Sequence, residues 1–369
     1  MIIIHDVYMK ILFNNTIFFN QRFGGISRYF INLINSLEDT KLKYLISAPI
    51  YKNIYLKNLN CKKIKGLFIP RYPNLEILKK INDAVENYFI SSFKPKIIHD
   101  TMYSEKLYKK KEYKKIITIH DLIHEKYKSH FKYNIDKKLN FKKRAIENSD
   151  LIICVSENTK NDLLNYYKIS DDKVKVVYHG ANHLDKINLN NKNFKIEKNF
   201  ILFVGSRMKY KNFSLLINAF SKSDYLKKNF MIICFGGDKF SKKEIKTFSN
   251  LKILNLVKHI DKHDDATLKY LYSNAELYVS TSEEEGFGIP LLEAMRNNCK
   301  VLASDIPIYK EIGQNFINYF EKNNEESLIY EIKNSIEKSY DLERSFNYSN
   351  HFSWMSCAKN TFELYNQLK

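Results

Sequence analysis

Short, nearly unbroken apolar runs alternate along this chain with longer amphipathic stretches. Lys10-Ile11-Leu12-Phe13, Leu42 to Ser47, Lys96-Ile97-Ile98-His99-Asp100, Lys115 to Asp121, Leu151 to Val155 and Val174 to Gly180 read as buried strands. Phe200 to Val204, Met231 to Gly237, Leu251 to Leu256, Ala275 to Val279 and Val301 to Asp305 repeat the pattern in the second half. Runs of this kind, apolar without alternation, are what a parallel sheet covered on both faces requires. Helical spacing separates them: a helix running through Leu37, and Leu75, Leu78, Ile81, Val85 and Phe89 after Pro73. Ser156 caps another helix; Ser214 to Phe220, Asp264 to Ser273, the segment from Ser327 onward and Ala358 to Leu368 supply the rest. The segment between the first strand and Phe23 reads as a short polar connection. Strands alternating with helices predict βαβ units and an α/β fold.

The pattern stops once and restarts. Asn182 to Asn199 is polar, with no apolar periodicity, and marks the domain boundary. The 369 residues suffice for two domains, 1–185 and 195–349, with a closing segment from about 350 to 369.

Candidate chemistry collects where strands run into glycine turns. Ser280 to Met295 reads as strand, glycine loop and helix N-terminus, with Gly286, Phe287 and Gly288 ahead of Pro290. Unpaired amides and the positive helix end favour an anion there. Glu285 in the loop and Glu293, expected in the first helical turn, bracket it as acceptors for hydroxyls. The plain alternative is a structural turn with Glu293 offsetting the dipole. Arg207 and Lys211 follow the strand 200–204 as cations for a diphosphate, against ordinary solvated loop residues. Gly24-Gly25 repeats the strand–diglycine–helix arrangement near the N-terminus, where a plain turn is the simpler reading. His120 closes a strand at its carboxyl end, as a ligand contact or as a hydrogen-bonded structural histidine; His99 reads as structural.

Charge adds a partner question. The net charge is +19, and residues 1–185 carry 33 Lys and Arg against 19 Asp and Glu. Lys106 to Lys111 and Lys126 to Arg144 hold most of that excess, mixed with Tyr and Phe. Such a face suits an anionic membrane surface, a nucleic-acid groove or simply solvent, and a compositional bias toward Lys, Asn and Ile would produce it without function. Five scattered cysteines suggest neither disulfides nor a zinc site. No apolar run of membrane-spanning length occurs and Met1 to Asp6 turns polar too quickly for a signal peptide, so the cytoplasm is expected.

Five motifs taken together resemble the retaining GT-B glycosyltransferases of the family numbered four. They are Gly24-Gly25-Ile26-Ser27-Arg28-Tyr29, Thr118-Ile119-His120-Asp121-Leu122, Val155-Ser156-Glu157-Asn158-Thr159-Lys160, Val204-Gly205-Ser206-Arg207 with Lys211-Asn212, and the E-x7-E run from Glu285 to Glu293. The resemblance implies two Rossmann-like domains facing across a cleft, the last helix crossing back to the first. It implies a nucleoside-diphosphate-sugar donor, UDP- or GDP-linked, with Arg207 and Lys211 on the diphosphate and Glu293 on the ribose. Glu285 and the backbone of Gly286, Phe287 and Gly288 would hold the sugar, with Gly24, Gly25 and His120 completing the site. No metal or other cofactor is implied, since no Asp-x-Asp motif offers to hold Mg²⁺. A saccharide or lipid-linked acceptor in surface polysaccharide (lipopolysaccharide or capsule) synthesis is expected, with a peripheral position on the inner membrane face and no nucleic acid. A sugar-nucleotide epimerase or phosphorylase is the enzymatic alternative; a basic nucleic-acid-binding protein and an inactive sugar-nucleotide sensor are the others. Because family members begin much as Met9 does, residues 1–8 read as an upstream extension.

Overall fold

The computed structural model describes residues 9–38, 42–59, 61, 63–72, 75–103, 113–131, 135–189, 196, 199–261 and 264–368. Residues 1–8, the run Lys106 to Lys111 and much of the polar stretch after Asn188 lie outside them. Two compact units make up the chain: Met1–His179 with Trp354–Lys369, and Gly180–Ser353.

Among the described residues, unit 1 is built on seven parallel strands: β1 (Lys10–Phe13), β2 (Lys43–Tyr51), β3 (Ile64–Phe68), β4 (Ile97–Asp100), β5 (Lys114–Ile119), β6 (Leu151–Cys154) and β7 (Val174–Val176). Their order across the sheet is β3-β2-β1-β4-β5-β6-β7. The described residues of unit 2 form six: β8 (Phe200–Val204), β9 (Met231–Phe235), β10 (Val257–Ile260), β11 (Leu277–Ser280), β12 (Val301–Ser304) and β13 (Asn318–Phe320), in the order β10-β9-β8-β11-β12-β13. Both are doubly wound α/β sheets whose strand order reverses once, between β1 and β4 and between β8 and β11. Ligands of such sheets bind outside the carboxyl ends of the strands at that reversal.

The apolar runs are explained by burial on both faces. Phe13 pairs in register with Ile46 of β2 and His99 of β4, while Phe30, Leu33 and Ile34 of the helix Gly25–Ser36 cover one side. Trp354, Cys357, Ala358 and Tyr365 of the last helix, Trp354–Gln367, join the same core. In unit 2, Leu216 and Phe220 of the helix Phe213–Lys222 pack with Ile232, Leu302 and Phe320. Full burial of one such side chain is worth about 1.5–3 kcal/mol.

Three local expectations are corrected, and one strand, β3, is not anticipated by the sequence. Thr16–Asn20 is a short helix burying Ile17, Phe18 and Phe19, so the connection after β1 is not a polar loop. β3, with its glycine and largely exposed side chains, is an edge strand whose pattern carries no apolar run to detect. Leu251 to Leu256 is turn rather than strand; pairing with β9 starts at Val257, opposite Ile232. The helix after Gly288 runs Ile289–Arg296, which makes Pro290 its second residue and puts Glu293 in its second turn, too deep to serve as first-turn dipole compensation.

Candidate active site

In unit 2 the loops that follow β8 and β11 meet at the reversal of strand order. The backbone N–H of Glu283 donates to Tyr210 O at 2.7 Å, and Thr281 Oγ1 donates to both Lys211 O and Asn212 O at 2.9 Å. That stitching brings Lys211 and Glu285, 74 residues apart in sequence, into a direct ion pair. Glu285 Oε1 also accepts from Ser282 Oγ at 2.8 Å and lies 3.4 Å from the Tyr309 hydroxyl. Burial, with the Glu285 charge adding to it, pushes the Tyr309 phenol well up, so it stays a donor at any working pH.

Gly288 ends this loop at φ +91°, left-handed backbone, and caps the helix. A β-carbon there would sit 2.8 Å from the Tyr309 ring, so glycine is required by conformation and by space. Gly286 is buried, and Phe287 packs edge-on against Phe352, centroids 6.0 Å apart; the aromatic anchors the loop in the core of the unit.

Glu293 is 4 % exposed. Its Oε2 accepts from the Tyr272 hydroxyl at 2.9 Å, and its Oε1 lies 3.1 Å from His183 Nε2. Burial first, then the Glu293 charge, raises the Tyr272 phenol well above its ordinary range and fixes it as donor. A buried carboxylate needs such donors, because leaving it unpaired costs far more than the bonds return.

Arg207 is held more tightly than a solvated loop residue. Its Nε donates to Glu244 Oε1 at 2.6 Å and one terminal nitrogen donates to Asp238 O at 2.6 Å, while the guanidinium covers the Phe240 ring at 4.8 Å. Burial acts to raise the Glu244 pKa, but hydrogen bonds from Arg207 and Ser241 outweigh it and hold the carboxylate below its ordinary value. The other terminal nitrogen of Arg207 is buried without a hydrogen-bond partner.

Of the unit 1 candidates, His120 sits at the carboxyl end of its strand, whereas the helix Thr16–Asn20 separates Gly24 and Gly25 from β1, a correction to the direct strand–diglycine–helix arrangement expected there. Gly24 precedes the helix Gly25–Ser36 in extended conformation and accepts from Ser27 Oγ at 3.0 Å; the space beside Gly25 is open. His120 follows β5, with its ring 5.0 Å from that of Tyr29 and 5.7 Å from that of His179. Its Nε2 is buried with no hydrogen-bond partner, and burial lowers its pKa to about 4, with Asp121 opposing and Lys142 reinforcing that shift. His99 is the structural histidine expected: Nδ1 is 2.7 Å from Tyr365 OH and Nε2 2.9 Å from Thr118 Oγ1.

Four residues of these surroundings escape a reading of the sequence: His183, Tyr272, Tyr309 and Lys142. His183 lies in the polar stretch that reads as a boundary, and the two tyrosines reach their carboxylates only through the fold. Lys142 belongs to a run that reads as basic surface, yet it is buried, donating to Asp121 O at 2.6 Å and paired with Glu125 at 2.9 Å behind the His120 turn. Lys126 and Lys128 in the same segment pair with Asp162 and Asp136. A cavity of about 460 Å³ elsewhere on unit 2 is lined by Phe316, Arg344, Tyr348 and His351 among others and includes none of the site residues. No helix among the described residues is long and apolar enough to cross a membrane.

The chain is similar to known proteins in sequence and in fold. The O-antigen chain mannosyltransferase RfbU of Salmonella typhimurium is 31 % identical over 206 residues, a match spanning 56 % of this chain and 56 % of that relative's length. An uncharacterized glycosyltransferase of Methanocaldococcus jannaschii is 29 % identical over 94 % of this chain and 95 % of its own. Among solved structures, sucrose-phosphate synthase from Thermosynechococcus elongatus superposes with a TM-score of 0.76 at 17 % identity, covering 98 % of this chain and 99 % of that one, which establishes the likeness of fold. The profile described as Glycosyltransferase Family 4 matches residues 23–183, and the one described as Glycosyl transferases group 1 matches residues 185–351. With a Family 4 domain followed by a group 1 domain, the chain belongs to the glycosyltransferases of the family 4/group 1 type.

Proposed function

We propose that the chain transfers a sugar, with retention and without a metal, from a nucleoside-diphosphate-sugar to a saccharide acceptor, lipid-linked, in surface polysaccharide synthesis. The observation that carries this is the junction of the two loops after β8 and β11, where Lys211 meets Glu285 and a buried Glu293 follows on the next helix. Cleaving the sugar–phosphate bond builds negative charge on the diphosphate and positive charge on the sugar ring. Lys211, released from Glu285 by the donor, would take the first together with Arg207; Glu285 would then face the sugar hydroxyls, and Glu293 the ribose. Fixed cations at a departing diphosphate are where electrostatic stabilisation is largest, and they do the work a metal otherwise does.

The test is thermal unfolding of wild type and Glu293→Ala with UDP, GDP, ADP and CMP, with and without EDTA. At 100 times Kd, the matching nucleotide stabilises by about 2.7 kcal/mol. One nucleotide should shift wild type and not the variant, and NMR of the product should show the donor's anomeric configuration kept. No shift from any nucleotide would sink the site reading; a shift that EDTA abolishes would sink metal independence.

The lipid-linked acceptor implies a membrane surface, and unit 1 has the means. Lys137, Lys138, Lys143 and Arg144 are exposed on the helix Ile135–Glu147, and Ile77, Ile81 and Tyr88 project from the helix Leu75–Phe93. Binding to phosphatidylglycerol vesicles is expected in sedimentation at about 0.1 M salt and should fall steeply at about 0.5 M, where screening shortens to a few ångströms. Equal sedimentation with neutral vesicles would argue against it.

A further inference from the structure

Resting on the reading of Glu293 as the ribose acceptor, we propose that His183 is a positioning residue for nucleotide recognition, aiming the Glu293 carboxylate at the ribose hydroxyls. Three observations carry it. His183 is buried, with 6 % of its side chain exposed, and its Nε2 lies 3.1 Å from Glu293 Oε1. Neither of its ring nitrogens has a formed hydrogen bond to another group of the fold among the described residues. His99, bonded by Tyr365 and Thr118 on its two ring nitrogens, is the contrast. The group that His183 approaches is the carboxylate expected to read the ligand.

The turn that carries it is also fixed in place. Asn182–Leu184 is a single helical turn with Leu184 buried beneath it. Lys269 Nζ donates to Asp185 O at 3.1 Å and to Ile187 O at 2.8 Å. Arg296, on the same helix as Glu293, pairs with the Asp185 carboxylate and donates to Asn350 Oδ1 at 2.9 Å. The imidazole is therefore delivered by a rigid turn to one oxygen of Glu293 while Tyr272 holds the other. With both oxygens approached from fixed directions, the carboxylate is held in one orientation. Orientation of a first acceptor by a second group is how small misplacements in a binding site are prevented.

The experiment compares UDP with 2′-deoxy-UDP, and GDP with 2′-deoxy-GDP, by calorimetric titration of the full chain. The proteins are wild type, His183→Ala, His183→Asn, His183→Gln and Glu293→Ala. Gln can place an amide N–H where Nε2 stood; Ala and Asn cannot reach. Losing this 3.1 Å approach to a charged acceptor should weaken the ribonucleotide about tenfold in His183→Ala and His183→Asn. The preference for ribose over deoxyribose should shrink by a similar factor, with His183→Gln recovering most of both. If affinity and preference stay at wild-type values in Ala and Asn while Glu293→Ala loses both, His183 is packing and the proposal fails alone. A lower melting temperature with an unchanged ribose preference would overturn it in the same way. Wild-type binding by Glu293→Ala would overturn the ribose reading and this proposal together.

Discussion

Lys211→Ala is expected to lower kcat/KM for sugar transfer by about 10²–10³, the usual cost of removing one preorganised stabiliser of transition-state charge. The fold should survive the change. What joins the loops after β8 and β11 is backbone on the Lys211 side: Thr281 Oγ1 donates to Lys211 O and Asn212 O, and Glu283 N–H donates to Tyr210 O. Glu285 keeps Ser282 and Tyr309 as donors when the ammonium is gone. The loss should therefore appear in catalysis, with the melting temperature of the free protein moving by only a few degrees. Lys211→Arg should recover only part, since a planar fork does not fit where a compact ammonium sits between a carboxylate and a phosphate. Glu285→Gln should also be severe, and the double variant should cost much less than the two losses multiplied, because the residues touch. Steady-state kinetics against the donor decide it. A Lys211→Ala enzyme within threefold of wild type would remove Lys211 from the reaction.

Much of this site is legible without the structure because it is made of local signals. Gly288 must be glycine where the backbone turns left-handed against Tyr309, and Glu285 and Glu293 are tied to it by short spacing. The buried strand β8 is legible to the residue and β9 up to its glycine turn, since an apolar run covered on both faces has no other place to go. What escapes is set by tertiary pairing. β10 begins at Val257 because Ile232 is its neighbour, and nothing local separates Val257 from Leu256. β3 lies at an edge, where exposure erases the apolar pattern. The Lys211–Glu285 pair belongs to the same class: two separate expectations, a cation for phosphate and a carboxylate for sugar, turn out to be mutual partners. Lys142 shows the reverse error, for a lysine in a basic run looks solvated until a buried Glu125 is found facing it.

The acid side of the stability profile should be set by the histidines of unit 1. His99 and His120 lie buried near Tyr29 and Phe30, and burial lowers their pKa values to about 3 and about 4; His179, packed against Tyr29, is lowered as well. For His99 the neighbouring His120 adds to the effect, while for His120 Asp121 and Lys142 pull in opposite senses. The unfolded chain titrates near 6.5, so between pH 6.5 and 4 it binds protons the folded chain refuses. Stability is then complete above about pH 7 and falls as pH drops, by about 1.4 kcal/mol per unit for each histidine. For His99 and His120 together the loss at pH 4 is roughly 6 kcal/mol, comparable with the whole stability of an ordinary domain. Trp354, the chain's one tryptophan, lies 5.9 Å from His179 and reports on this core directly. Urea titrations followed by its fluorescence from pH 7.5 to 4.5 should show the midpoint collapsing with pH, well before most carboxylates protonate. His120→Phe gives the sharper readout: its Nε2 has no partner to lose, so the variant should fold, with the pH slope reduced by one histidine. A slope identical to wild type would mean that His120 is charged inside the fold, against the burial and ring contacts that surround it.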